Sequence, residues 1–203
     1  MGKLPQIVLL RGINLGGINR VPMAGLREAL VMAGFAGPGG REVETYLQSG
    51  NIALESQLDS DQLAWAVESL VVEQFQVVAP AVARSAPQLK AVLESNPFPE
   101  FAQQGPKAYQ VSFLSEPITA AGRELVQAHR QRGESVAVSG SGREVYAWHP
   151  GGIHTSKLAA ALNERQLGVR IATARNWTTV LACGRLLGVL DEPAQSAGSP
   201  RDE

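Results

Sequence analysis

An α+β fold is predicted by three features of this 203-residue chain. Short β-branched and aliphatic runs alternate with stretches of helical apolar periodicity, and glycine-bearing turns separate paired runs. The order strand-helix-strand-strand-helix-strand then occurs twice.

Residues 7–10 form a continuous aliphatic run stopped by Arg11 and Gly12, which reads as a buried strand. After the Gly-rich loop 12–20, Pro22 suits the first turn of a helix whose apolar positions Met23, Leu26, Leu30 and Phe35 recur at helical spacing. Gly34 and the cluster Gly37-Pro38-Gly39-Gly40 end it. Residues 43–47 and 52–54 are brief strands around Gln48-Ser49-Gly50-Asn51, where the glycine suits the positive φ of a tight hairpin. Asp59 or Ser60 caps a helix whose apolar face runs through Leu63, Trp65, Ala66, Val67, Leu70 and Val71 to Phe75. A strand over 77–84 completes βαββαβ, the ferredoxin-like arrangement.

A short helix over 88–94 leads into Asn96-Pro97-Phe98-Pro99 and Gln103-Gln104-Gly105-Pro106, a breaker-rich connector where a boundary is expected. It divides a first half, 1–95, from a second, 107–190. In the second half the expected order is a strand over 108–114, a helix over 119–132 capped by Thr119, strands over 135–138 and 144–148 flanking Gly140-Ser141-Gly142, a helix over 157–166 and a strand over 169–172. A C-terminal helix over 177–187 follows. The polar tail, 191–203, is expected to be mobile. The twofold organisation rests on element order, since no residue repeat between the halves is evident.

Composition narrows the function classes. Hydrophobic residues make up 44% of the chain, charged residues 18%, and the net charge is −1, so no global field draws it to nucleic acid or membrane. Any anion site must be local. The single cysteine, Cys183, excludes a disulfide framework and a Cys-rich zinc module and fits a cytosolic setting. Residues 1–6 lack a signal peptide's apolar run, Gln6 stands where a myristoylation signal needs Ser or Thr, and no apolar stretch approaches the roughly 20 residues of a membrane span. No membrane attachment is therefore expected.

The topology predicts the candidate site. In a βαββαβ unit the exit of the first strand and the hairpin between the second and third share one edge. Arg11, Gly12, Asn14, Gly16, Gly17 and Arg20 should thus lie near Gln48, Ser49 and Asn51. Glycines that admit backbone N–H groups, a following helix N-terminus and two guanidiniums suit a phosphate or carboxylate. The alternative is structural: the glycines ease a tight crossing, Asn14 and Asn19 satisfy backbone groups, and 48–51 is a plain hairpin turn. The spacing is not Gly-x-Gly-x-x-Gly, and the P-loop Lys-Ser/Thr pair is missing, so neither nucleotide motif is supported.

Other residues carry weaker signals. Lys157 opens a helix after a second Gly-rich turn, where it meets an anion or is simply solvated. His149 and His154 match no ligand spacing, so no metal and no cofactor are expected. Neither Ser49 nor Ser156 sits in a nucleophile motif. Cys183 reads as a small core residue. Arg175, Asn176 and Trp177 at a helix entrance can hold an anion, stack a base, or fasten the last helix.

The strings Leu9-Leu10-Arg11-Gly12-Ile13-Asn14-Leu15-Gly16-Gly17, Thr45-Tyr46-Leu47-Gln48-Ser49-Gly50-Asn51 and Thr173-Ala174-Arg175-Asn176-Trp177-Thr178-Thr179 resemble the bacterial family called domain of unknown function 1697. Tyr146, Pro150-Gly151-Gly152-Ile153 and Ser156-Lys157-Leu158 look like a fourth segment. The resemblance implies two ferredoxin-like subdomains and no particular activity. The chain departs from the family pattern at Ile18, where a basic residue commonly follows the double glycine.

Three function classes follow. The first is a binding protein for a small phosphorylated or carboxylated ligand, with an oligonucleotide ranked lower because the first three strands offer only Tyr46 as an aromatic. The second is a non-catalytic interaction or assembly module. The third is an enzyme acting on a phosphate ester or nucleic acid, for which the motif segments hold no obvious acid/base pair.

Overall fold

The computed structural model describes residues 2–191, so most of the tail lies outside the described residues. Two four-stranded antiparallel sheets carry the fold, each with ferredoxin-like topology. The first contains β1 (Leu4–Leu10), β2 (Glu44–Tyr46), β3 (Asn51–Ser56) and β4 (Ala81–Ser85) in the order β2-β3-β1-β4. Its outer face is covered by α1 (Met23–Met32) and α2 (Ser60–Phe75). The second contains β5 (Tyr109–Leu114), β6 (Ser135–Val138), β7 (Glu144–Trp148) and β8 (Ala172–Asn176) in the equivalent order β6-β7-β5-β8. Here α5 (Ala120–Ala128), α6 (Lys157–Ala161) and α7 (Glu164–Leu167) cover the outer face.

Each sheet is buried on both sides, which explains why the first strand reads as an unbroken aliphatic run. Val8 and Leu10 point toward α1 and α2, whereas Ile7 and Leu9 join a second core with Val111, Phe113, Tyr146 and Trp177 from the other half. Helix α3 (Ala86–Glu94) follows β4, and α8 (Trp177–Leu186) follows β8. These two helices pack on each other between the sheets, contributing Leu89, Val92, Val180 and Cys183 to that shared core. The boundary between the halves is therefore one of topology, because one apolar cluster spans it.

Local sequence explains the caps. Asp59 accepts from the Gln62 N–H at 2.8 Å and Gln62 reaches back to Asp59, while Ser85 and Gln88 form the same box on α3. Thr119, Ser156, Asn163 and Asn176 cap α5, α6, α7 and α8.

Several expectations change, among them the strand expected over 77–84, which begins at Ala81, and the helix expected over 119–132, which ends at Ala128. The helix expected over 157–166 is broken at Leu162, because Asn163 leaves the helix to cap a new one. The breaker-rich connector contains a short helix, α4 (Pro99–Gln104), held by Phe101 stacking on Trp148 at 4.8 Å. The last strand lies at Ala172–Asn176 rather than 169–172. That shift reveals a residue repeat absent from the sequence reading: Ala81-Val82-Ala83-Arg84-Ser85 and Ala172-Thr173-Ala174-Arg175-Asn176 are equivalent strands, each ending in Arg and a helix cap.

Candidate functional site

The first loop and the first hairpin meet at one edge. Leu10 N–H donates to Gly50 O at 2.8 Å, and Asn14 Nδ2 donates to Gln48 O at 2.8 Å and to Val21 O at 3.0 Å. Asn14 Oδ1 in turn accepts from Val21 N–H at 2.9 Å, and Asn19 Nδ2 donates to Gly12 O at 2.9 Å. The two asparagines thus clamp the loop from within, as the structural alternative requires. Between them, Leu15 and Ile18 bridge across Gly16 and Gly17, whose φ of 56° and 84° make a two-residue hairpin turn. Gly50 is needed for space as well as φ: a Cβ there would lie 2.8 Å from Leu10 Cβ and from Ile13 Cδ1.

A depression of about 380 Å³ lies at this edge, lined by Asn14, Gly17, Arg20, Val21, Pro22 and Gln48. Pro22 leads into α1, whose N-terminus has no side-chain cap and no acid in its first turn. Arg20 is exposed and makes no ion pair or hydrogen bond among the described residues. No Asp, Glu or His lines the depression. The depression thus brings one guanidinium and an uncapped helix N-terminus together without an acid/base pair.

Arg11 does not line this depression. Its guanidinium is paired with Glu164 on α7 of the other half. Asn51 and Arg175 are buried rather than presented to solvent. Arg175 uses all five N–H groups internally: Nε donates to Asn51 Oδ1 (2.5 Å), Nη1 to Thr173 Oγ1 (2.8 Å) and Ala174 O (2.9 Å), and Nη2 to Leu10 O (2.7 Å) and Ser49 O (3.2 Å). Asn51 Nδ2 donates to Tyr46 O at 2.7 Å and Ser49 Oγ at 3.1 Å. Arg175 therefore ties the second half to the back of the loop edge.

Arg84 makes the reciprocal bridge. Its Nε donates to Glu144 Oε1 at 2.7 Å and its Nη2 to Leu114 O at 2.8 Å and Arg143 O at 3.0 Å. Leu114 ends β5 as Leu10 ends β1, and Glu144 opens β7 as Asn51 opens β3. The two bridges differ in charge. Arg84 has a carboxylate, which also accepts from Ser139 and Ser141, whereas every acceptor around Arg175 is neutral. Burial pushes the Arg175 pKa down to about 10, so the cation persists at neutral pH without an acidic partner.

The remaining predicted residues separate from the edge. Asn176 caps α8, and Trp177 packs on Tyr109 with ring centroids 5.3 Å apart. Both fasten the last helix. Lys157 opens α6 in a different turn of the second half, and its backbone N–H donates to Gln131 Oε1 at 3.1 Å.

Two arrangements escaped the sequence reading. A cleft of about 270 Å³ at the seam is lined by Arg84, Gln88, Ser95, Ser139, Glu144 and Tyr146, among others. Second, Glu134, His149 and Ser156 form a buried cluster in which Ser156 Oγ donates to Glu134 and lies 3.0 Å from His149 Nδ1. Glu134 lies 3.1 Å from the same Nδ1, while His149 Nε2 has no partner. A relay would need Ser and Glu on opposite ring nitrogens, so this cluster is a helix-cap network. Among the described residues no group of three His, Cys, Asp or Glu side chains could hold a metal, and no helix is long and apolar enough to cross a membrane.

A family model described as "Protein of unknown function (DUF1697)" matches residues 5–146. No curated protein matches the chain. Among solved structures, a similar one is that of conserved bacterial protein SP0830 from Streptococcus pneumoniae, 22% identical, with a TM-score of 0.71 over 92% of this chain and 99% of that one. At that identity the likeness establishes the fold.

Proposed function

This chain belongs to the DUF1697 family, and we propose that it is a binding protein for a phosphorylated or carboxylated ligand held beside Arg20 at the loop edge. The observation that carries the reading is the asymmetry of the two bridges. A guanidinium buried behind Leu10 and Ser49 without a carboxylate leaves a positive field at this edge, while its counterpart Arg84 is neutralised by Glu144. At an effective dielectric of about 20, a unit charge within roughly 10 Å of an anion contributes about 1–2 kcal/mol. Being buried, it is screened less by salt than a surface lysine would be. Arg20 supplies the direct contact, and the uncapped first turn of α1 supplies free N–H groups. Absence of a carboxylate or imidazole from the depression favours binding over catalysis.

Calorimetric titration with inorganic phosphate and pyrophosphate at low ionic strength tests the reading, using wild type and Arg20→Ala. The variant should bind at least tenfold more weakly with its denaturation midpoint unchanged. Equal affinity in the two proteins, or no heat in either, would overturn it.

A second reading, a non-catalytic assembly module, draws support from Arg175 and Asn51, which serve the seam between halves. Light scattering showing a strict monomer would count against it. The single cysteine, a buried free thiol, supports a cytosolic setting.

A further inference from the structure

The loop edge is apolar as well as cationic. Leu15, Ile18 and Leu47 are 65%, 69% and 55% exposed, and each is the chain neighbour of a residue lining the depression: Asn14, Gly17 and Gln48. Scattered exposed aliphatics need no explanation, but three on the two joined loops that form one depression do. Their exposure is enforced. Asn14 and Asn19 pin the loop from beneath, so the Gly16–Gly17 turn cannot fold down to cover its flanking pair.

Leu47 adds backbone evidence. Its φ of 59° lies in the left-handed region, where Gly or Asn is far less strained, yet an exposed leucine occupies it. Asn14 and Asn19 share that conformation at the same edge, where their side chains satisfy backbone groups. Leu47 has no such local hydrogen bond to repay the strain. Its side chain is therefore held outward on the residue that precedes Gln48, a lining residue of the depression.

Resting on the anion-binding reading above, we infer that the ligand is amphipathic: a free, monomeric molecule whose terminal phosphate or carboxylate meets Arg20 while an aliphatic chain lies across Leu15, Ile18 and Leu47. Charge complementarity fixes the orientation, with the head over Arg20 and the α1 N-terminus and the tail toward the hairpin tips.

The test compares octyl phosphate below its micelle concentration with inorganic phosphate, octanol and anionic phospholipid vesicles, using the full chain. Octyl phosphate should bind at least tenfold more tightly than inorganic phosphate, a gain smaller than the transfer of two methylenes from water. Leu47→Asn, which relieves the backbone strain, and the double variant Leu15→Ser/Ile18→Ser should each erase that preference while leaving inorganic phosphate affinity unchanged. Equal affinity for octyl phosphate and inorganic phosphate overturns the amphipathic inference and leaves the anion site standing. Failure of both anions removes the anion site itself. Octanol binding as tightly as octyl phosphate, or vesicle binding without monomer binding, overturns the inference in favour of a purely apolar or a membrane surface.

Discussion

Arg175 Nε donates to Asn51 Oδ1 at 2.5 Å, in the place where Arg84 Nε meets the carboxylate of Glu144. The two halves thus exchange one arginine each, and only one exchange is electrically closed.

The closed exchange predicts a stability effect. Glu144→Leu strands the Arg84 cation in the interior and leaves the Ser139 and Ser141 hydroxyls without their acceptor, which should cost about 3–5 kcal/mol in urea denaturation. Adding Arg84→Met should restore part of the loss. The stranded charge is then gone, but the Leu114 carbonyl loses its Arg84 donor and the Arg143 carbonyl keeps only the Leu114 N–H.

The open exchange predicts a binding effect. Asn51→Asp gives Arg175 a counter-charge and removes the donors to Tyr46 O and Ser49 Oγ, so the stability terms oppose one another. Phosphate affinity at the loop edge should fall about tenfold, because the field of the buried guanidinium is cancelled at its source. Parallel titrations of Asn51→Asp and wild type check this.

Gly50→Ala tests the contact on which the edge is built. A methyl at 2.8 Å from Leu10 Cβ, on a residue with φ of 72°, must push the hairpin away from the first strand. The expected loss is about 1–3 kcal/mol in urea denaturation, with weaker phosphate binding because Gln48 moves with the hairpin.

Acid sensitivity should report on Glu134. Burial alone would raise its pKa, but donation from Ser156, the Gln131 N–H and His149 holds it below the usual 4.5. A depressed carboxylate contributes stability that is complete above its unfolded value and is lost as pH falls through the folded one. Wild type should therefore lose stability below about pH 4.5, and Glu134→Gln should show a flatter dependence there, measured as urea midpoints across that range. Glu116, also depressed, keeps a residual slope in both proteins.

The fold and the meeting of the two loops are legible in the sequence, for identifiable reasons. A ferredoxin-like unit has few ways to connect its strands, so element order alone places the first loop beside the Ser49–Gly50 bend. What failed was ownership of the guanidiniums. The donors that grip a phosphate also grip carbonyls, and nothing near Arg175 in sequence reveals that Leu10, Ser49 and Asn51 would take them. The signal was present as the Ala-x-Ala-Arg repeat before each inner helix, but placing the last strand three residues early hid the alignment. Arg11 misled for the same reason, since Glu164 belongs to a helix whose separate existence depends on Asn163.

The layer formed by α3 and α8 makes the two repeats mutually obligate. A fragment ending in the connector would leave Ile7, Leu9 and Val82 covered by α3 alone, with the apolar side that meets α8 and the second sheet bared to aggregation and proteolysis. Truncation to a single repeat is thereby closed as a route for variation, and changes that spare the interlock must fall on the outer helices and the turns at the rim.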